Sequence, residues 1–114
     1  MAIDRSLISG STAMLLLKLL EKRDMYGYEM IEELARLSDN TFALKAGTLY
    51  PLLHTLEQKG HVSAYDKPEG GRARRFYHLT DSGQRELACR QEEWSQFSGA
   101  VEMVLNGGEL CVCQ

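Results

Sequence analysis

Two neighbouring stretches decide the fold: Gly47–Val62, GTLYPLLHTLEQKGHV, and Gly70–Thr80, GGRARRFYHLT. In the first, Leu49, Leu52, Leu53 and Leu56 recur at the spacing of one buried helical face. The helix is expected over Ala46–Lys59, with Pro51 in its first turn or so, where a missing N–H matters least. Gly60 follows as a left-handed stop. The second stretch reads as a basic turn, then a strand, closed by a helix start at Thr80-Asp81-Ser82. A helix followed at once by a basic hairpin suits duplex DNA, with one part entering the major groove and the other lying on the phosphates.

Outward from this centre the pattern stays regular. Ser11–Lys22 is a first helix with Ala13, Leu16, Leu17 and Leu20 on one face and more apolar residues around it. A helix this apolar needs two neighbours. Asp24–Gly27 is a break. Tyr28–Leu37 is a second helix with Ile31, Leu34 and Ala35 inward, ended by Ser38-Asp39-Asn40. Strands are expected at Val62–Tyr65 and Arg74–Leu79, with a turn built from Pro68, Gly70 and Gly71. A last helix runs from Asp81 or Ser82 to about Leu105. The order predicts a mainly α protein with a small β-hairpin, a winged helix-turn-helix plus a long C-terminal dimerisation helix. The expected divisions are a DNA-binding domain at 1–80, the dimerisation helix at 81–106 and a flexible tail at 107–114.

Composition bounds the function. The 114 residues are 44% hydrophobic and 25% charged, which suits one folded domain with a modest core. Ala13–Leu20 is far shorter than the roughly 20 apolar residues a bilayer span needs, and the N-terminus makes a poor signal peptide. The expectation is a cytoplasmic protein without membrane contact. Net charge is −3, but residues 41–79 hold six basic and three acidic side chains, against seven and thirteen elsewhere. A basic middle with acidic flanks suits a local phosphate-binding surface. The odd cysteine count, Cys89, Cys111 and Cys113, argues against a disulfide framework. His54, His61 and His78 show no metal-ligand spacing. No nucleophile–base set, Walker loop or dinucleotide fingerprint is present. No cofactor, no metal and no enzymatic activity are expected.

Three constellations carry the functional reading. The polar side of the third helix offers Thr48, Tyr50, Pro51, His54, Thr55, Gln58 and Lys59, groups able to meet base edges and phosphate oxygens or simply to face water. Arg72, Arg74 and Arg75 follow two glycines, as phosphate contacts or as a charged edge that blocks sheet aggregation. Leu87, Trp94 and Val101 recur at steps of seven on the last helix, with Phe97 and Val104 between them and Gln91 beside the seam. Such a stripe pairs most simply with its own copy in a dimer. Trp94 offers in addition a flat platform for a planar aromatic guest.

These residues carry a resemblance. Tyr26-Gly27-Tyr28-Glu29-Met30, Gly47-Thr48-Leu49-Tyr50-Pro51-Leu52-Leu53 with Leu56-Glu57 and Gly60, and Gly70-Gly71-Arg72 with Phe76-Tyr77-His78-Leu79-Thr80 and Gly83 together resemble the PadR family of bacterial transcriptional regulators. The single C-terminal helix is similar to that of the smaller subfamily. The resemblance implies a winged helix-turn-helix homodimer, joined through its last helix, on inverted-repeat operators. It places Thr48, Tyr50, Pro51, His54 and Lys59 on the recognition helix and Arg72, Arg74 and Arg75 on the wing. Glu92–Ser95 resembles the helix of small members that sense drugs, which implies that Trp94, with Phe97, lines a dimer-interface site for a planar hydrophobic effector. The expected function is a sequence-specific transcriptional repressor of double-stranded DNA. The alternative is a ligand-binding or protein-interaction module that uses the fold without operator-specific DNA binding.

Overall fold

The structure is a computed structural model that describes residues 5–107, with side chains from Ser11 onward. Cys111, Cys113 and all of the expected tail beyond Gly107 lie outside the described residues. The elements run α1 (Arg5–Lys22), β1 (Met25–Tyr26), α2 (Gly27–Leu37), α3 (Ala46–Gln58), β2 (Val62–Glu69), β3 (Arg72–Leu79) and α4 (Asp81–Leu105). The expected class holds: a mainly helical chain with a small antiparallel sheet.

The core is built from the expected leucine faces. Leu16, Leu17 and Leu20 of α1 meet Leu34 of α2, Leu49 and Leu53 of α3, and Val62, Tyr77 and Leu79 of the sheet. Met30 is also fully buried, so the inner face of α2 starts one residue earlier than its periodicity suggests. Helix α1 packs against α2, α4 and β3, which accounts for its broad apolar surface within one protomer.

Several boundaries differ from expectation, each for a local reason. Helix α1 starts at Arg5, six residues ahead of Ser11, because one internal glycine costs only about 1 kcal/mol and does not stop a helix whose far half is anchored. The supposed break at Asp24–Gly27 holds β1, which pairs Met25 with Tyr77 and Tyr26 with Phe76. Two residues are too few to show a period. Pro51 stands at the sixth position of α3, in its second turn. It forgoes a bond to the carbonyl of Gly47, and Gly47 is exposed to water. Lys59 is the C-cap of α3, and Gly60 follows at φ +80°.

The hairpin is longer than expected. Its turn is the pair Gly70–Gly71 alone, at φ +61° and +82°, the left-handed pair that a two-residue hairpin turn requires. The strands therefore pair up to Glu69 opposite Arg72. Pro68, expected in the turn, lies within β2 opposite Ala73. It is tolerated because β2 is an edge strand in the order β1-β3-β2.

Helix α4 is half inside the body and half outside. Gly83 and Leu87 of its first turns are buried. Leu87 is 1% exposed within the core cluster, so its expected place on the dimer seam is corrected: it packs inside its own protomer. From Gln91 to Phe97 the helix is exposed. The Cα radius of gyration is 16.3 Å, above the roughly 13–14 Å of a compact chain of this length. The N-terminal turn of α4 lies hard against the loop after α3, where a Cβ on Gly83 would overlap the carbonyl of His61 and the Leu79 side chain. Gly83→Ala should therefore lower stability by about 2 kcal/mol or more, as overpacking against backbone does. A urea midpoint equal to that of the wild type would show that the approach can relax.

Candidate nucleic-acid interface

Helix α3 turns Leu49, Leu53 and Leu56 into the core. That leaves Thr48, Pro51, His54, Thr55, Gln58 and Lys59 exposed on its other side. The Thr55 hydroxyl donates back to the Pro51 carbonyl at 3.1 Å, so it offers a partner only acceptor capacity. Tyr50 is placed differently from its neighbours. Its ring rests on the backbone of Gly27, at the start of α2, where its hydroxyl takes the space of a Cβ. Burial raises its pKa, as do neighbouring Tyr77 and Tyr28, against the opposing charge of Arg74. Tyr50 thus spaces α2 from α3 while 41% of its surface still faces outward.

The hairpin sorts its charges by face. Successive residues of β3 point to opposite sides of the sheet. Tyr77 and Leu79 join the core, and Arg75, on the same side, reaches α3. Its guanidinium donates to Glu57 at 3.1 Å and lies 4.0 Å from Asp66. On the other side, Phe76 stands between Tyr26 and Tyr65, its cross-strand partners. Tyr26 meets Phe76 edge-on at 5.3 Å between centroids, and Tyr65 stacks on it at 5.8 Å. Two cations lie on this aromatic row: Arg74 is 4.5 Å from the Tyr26 ring, and Lys67 is 4.4 Å from the Phe76 ring. Lys67 and Arg74 are directly opposed in register. Arg72 is exposed beside the turn.

The expected wing arginines are therefore not equivalent. Arg72 and Arg74 carry charge on the hairpin without an acidic partner among the described ion pairs, whereas Arg75 is tied to α3. Lys67 joins Arg74 on the outer face. Only the register places it there. The aromatic row of Tyr26, Phe76 and Tyr65 was missed for the same reason, together with β1.

Asp24 fastens this sheet to the end of α1. Its carboxylate accepts from Tyr65 at 2.6 Å and bonds His78 Nδ1 at 2.8 Å. Burial alone would raise the Asp24 pKa. Hydrogen bonds from Tyr65 and His78, with the charges of His78 and Lys67, outweigh it and hold the carboxyl below its ordinary value.

On α4, Trp94, Phe97, Val101 and Val104 are exposed at 50%, 62%, 39% and 78%. Gln91 is exposed one turn earlier. Trp94 and Phe97 lie 6.3 Å apart between ring centroids. With Ser11, Met14, Glu86, Arg90 and Glu93 they line a cavity of about 320 Å³ between α1 and α4. Cys89 is an exposed free thiol on the same helix. Among the described residues no helix is long and apolar enough to cross a membrane.

A family described as the transcriptional regulator PadR-like family matches residues 16–89. The chain belongs to this family. A structure of a transcriptional regulator from Clostridium thermocellum is 28% identical, with a TM-score of 0.79 over 85% of this chain and 95% of that one. A PadR family transcriptional regulator from Eggerthella lenta is 31% identical, with a TM-score of 0.76 over 88% of this chain and 86% of that one. The transcriptional regulator Rv3488 of Mycobacterium tuberculosis is 36% identical over 64 residues, 56% of this chain and 57% of that one. PadR regulators bind DNA.

The Asp24 anchor has a defined pH signature. A carboxyl whose folded pKa lies below its unfolded value contributes fully above about pH 4, and that contribution fades as pH falls through the folded value. Asp24→Asn should thus melt below the wild type above about pH 5, with the gap narrowing as pH falls below the ordinary carboxylate range. A gap in melting temperature that did not change with pH would remove the carboxylate charge from the anchorage.

Proposed function

We propose that this PadR regulator is a homodimeric repressor that binds an inverted-repeat operator. The observation that carries the reading is the exposed stripe Trp94, Phe97, Val101 and Val104 on a helix that projects from a DNA-binding body. Four large apolar side chains at three- and four-residue steps are costly in water and suit a second copy of the same helix. Gln91 lies beside that seam. Residues 1–80 then act as the DNA-binding domain, 81–106 as the dimerisation helix and 107–114 as a tail.

In this reading α3 enters the major groove. Thr48 and His54 face base edges, Pro51 shapes the helix surface, and Lys59 meets phosphate near its end. Arg72 and Arg74 lie on the backbone beside it. Tyr50 and Arg75 contribute mainly by position, one against α2 and the other against Glu57. A planar aromatic effector stacks against Trp94 and Phe97, in the cavity that opens between α1 and α4. It lowers operator affinity by binding more tightly to the dimer whose recognition helices are mis-spaced.

The reading is tested by binding to the protein's own upstream region with competitor DNA at two salt concentrations. Tight binding that survives competitor is expected, and competitor-sensitive binding alone would favour a ligand-binding module. On that fragment Arg74→Ala should flatten the salt slope by about 1 unit. Arg75→Ala should flatten it less, because Glu57 already faces that charge. A full unit lost at Arg75 would place it on phosphate. Trp94→Ala should abolish binding of a planar aromatic dye or split the dimer, and sedimentation distinguishes the two. A variant that stayed dimeric and kept dye affinity would exclude Trp94 from both roles.

A further inference from the structure

Helix α4 meets the end of the recognition helix at one small joint, and Thr80 is its centre. The Thr80 hydroxyl accepts from the Gly83 N–H at 3.0 Å, as a helix N-cap does. The same hydroxyl donates to the Gly60 carbonyl at 2.6 Å. The Thr80 N–H donates to the next carbonyl, that of His61, at 3.2 Å. The His61 ring shares a 3.2 Å hydrogen bond with Ser82. Gly83 closes the contact, since only a residue without a Cβ lets α4 approach the His61 carbonyl so nearly. Gly60 and His61 are in turn bonded to the last turn of α3, through the carbonyls of Glu57 and Leu56.

Capping alone does not require this arrangement. An N-cap needs only an acceptor, and Asp or Asn would serve as well. The hydroxyl hydrogen is spent on the loop that ends α3. We propose that Thr80, with Ser82, Gly83 and His61, forms a rigid joint that fixes the angle between α4 and α3. These are positioning residues for operator binding, and that part of the inference rests on the dimeric reading above.

Leverage makes the joint matter. Helix α4 has 25 residues, about 37 Å at a rise of 1.5 Å each. A rotation of about 10° at its base sweeps the far end by about 6 Å. If the far half pairs with a second copy, the same play displaces each recognition helix by several ångströms. Half-sites one DNA turn apart, roughly 34 Å, do not tolerate that. A dimer held through Trp94–Val104 reads a fixed spacing only when the base of the lever is stiff.

Thr80→Asp separates the two uses of the hydroxyl. An ionised carboxylate still caps Gly83 and favours a helix N-terminus, but it has no hydrogen for Gly60. Thr80→Ser keeps both uses. Spin labels at Gln58 and Gln96, in a chain whose three cysteines are replaced by serine and which is diluted into unlabelled protein, report the α3–α4 distance by pulsed EPR. Wild type and Thr80→Ser should give one narrow distribution. Thr80→Asp should give a broad one at an unchanged melting temperature. Where Thr80→Asp fails to fold, Thr80→Val, which keeps the shape but loses the cap acceptor together with the donor, is read by the same width.

Unlabelled chains are then used to select duplexes with varied spacing between half-sites. Wild type and Thr80→Ser should select one spacing. Thr80→Asp should accept neighbouring spacings and lose about tenfold in affinity for the best one, with nonspecific affinity unchanged. A merely structural defect would weaken all spacings alike. A narrow distance distribution in Thr80→Asp overturns the joint, as does a broad one with spacing preference intact. Should the wild type select no sequence, the operator reading falls, and the joint is judged on the distance distributions alone.

Discussion

The register of the β2–β3 hairpin is the constraint on which most of this structure depends, and two glycines set it. With Gly70 and Gly71 as the whole turn, Glu69 must face Arg72, and every later pair follows. Val62 meets Leu79 and closes the core, while Tyr65 meets Phe76 and builds the outer row. A slip of one residue would exchange the two faces of the strand. It would put Phe76 and Arg74 toward the leucines and turn Tyr77 and Leu79 to water. The same register leaves β3 free to take Met25 and Tyr26 on its other edge. The short third strand thus joins the end of α1 to the sheet, and Asp24 can reach both Tyr65 and His78.

From that register comes a division of labour among like residues. Arg74 and Arg75 are adjacent in sequence and opposite in space. Arg75 bridges sheet and α3 through Glu57, which ties the hairpin to the helix it must accompany. Arg74 and Lys67 lie on aromatic rings on the far face, where their flexible stems are held without being neutralised. A cation over a ring keeps its full charge for a third party, whereas one in an ion pair does not. Helix α4 divides its own length in the same way. Leu87 completes the body, and the apolar residues from Trp94 onward face outward from it. The break between the two halves falls near Arg90, whose guanidinium is bonded to Glu86 at 2.6 Å.

Much of this was legible in the chain. The four leucines of α3 announced a buried face because helical geometry brings positions three and four apart together. The Gly-Gly pair announced a turn because few other residues take positive φ without strain. Thr80 announced a helix start. What escaped had no local signature. A two-residue strand carries no period, so at β1 the sequence shows only a break. Pro68 reads as a turn residue until the strand bearing it is known to be an edge. Leu87 keeps the heptad step of Trp94 and Val101, and its spacing is the same whether it faces its own core or another chain.

The sequence by itself determined the element order, the inward faces of the helices, the turn chemistry and the presence of a basic hairpin beside a polar helix face. Those are properties of neighbours along the chain, where propensity and periodicity act within a few residues. Only the tertiary structure decided which arginine is paired and which is not, that Tyr50 serves the packing of α2 on α3, and that Lys67 joins Arg74. It also decided that Thr80, His61 and Gly83 meet at one point. The contacts behind these span 7 positions, for Lys67 and Arg74, to 23, for Gly27 and Tyr50, and form only when the core packs and the hairpin register is fixed. Side-chain charge is written in the chain, but its partner is a matter of distance in space.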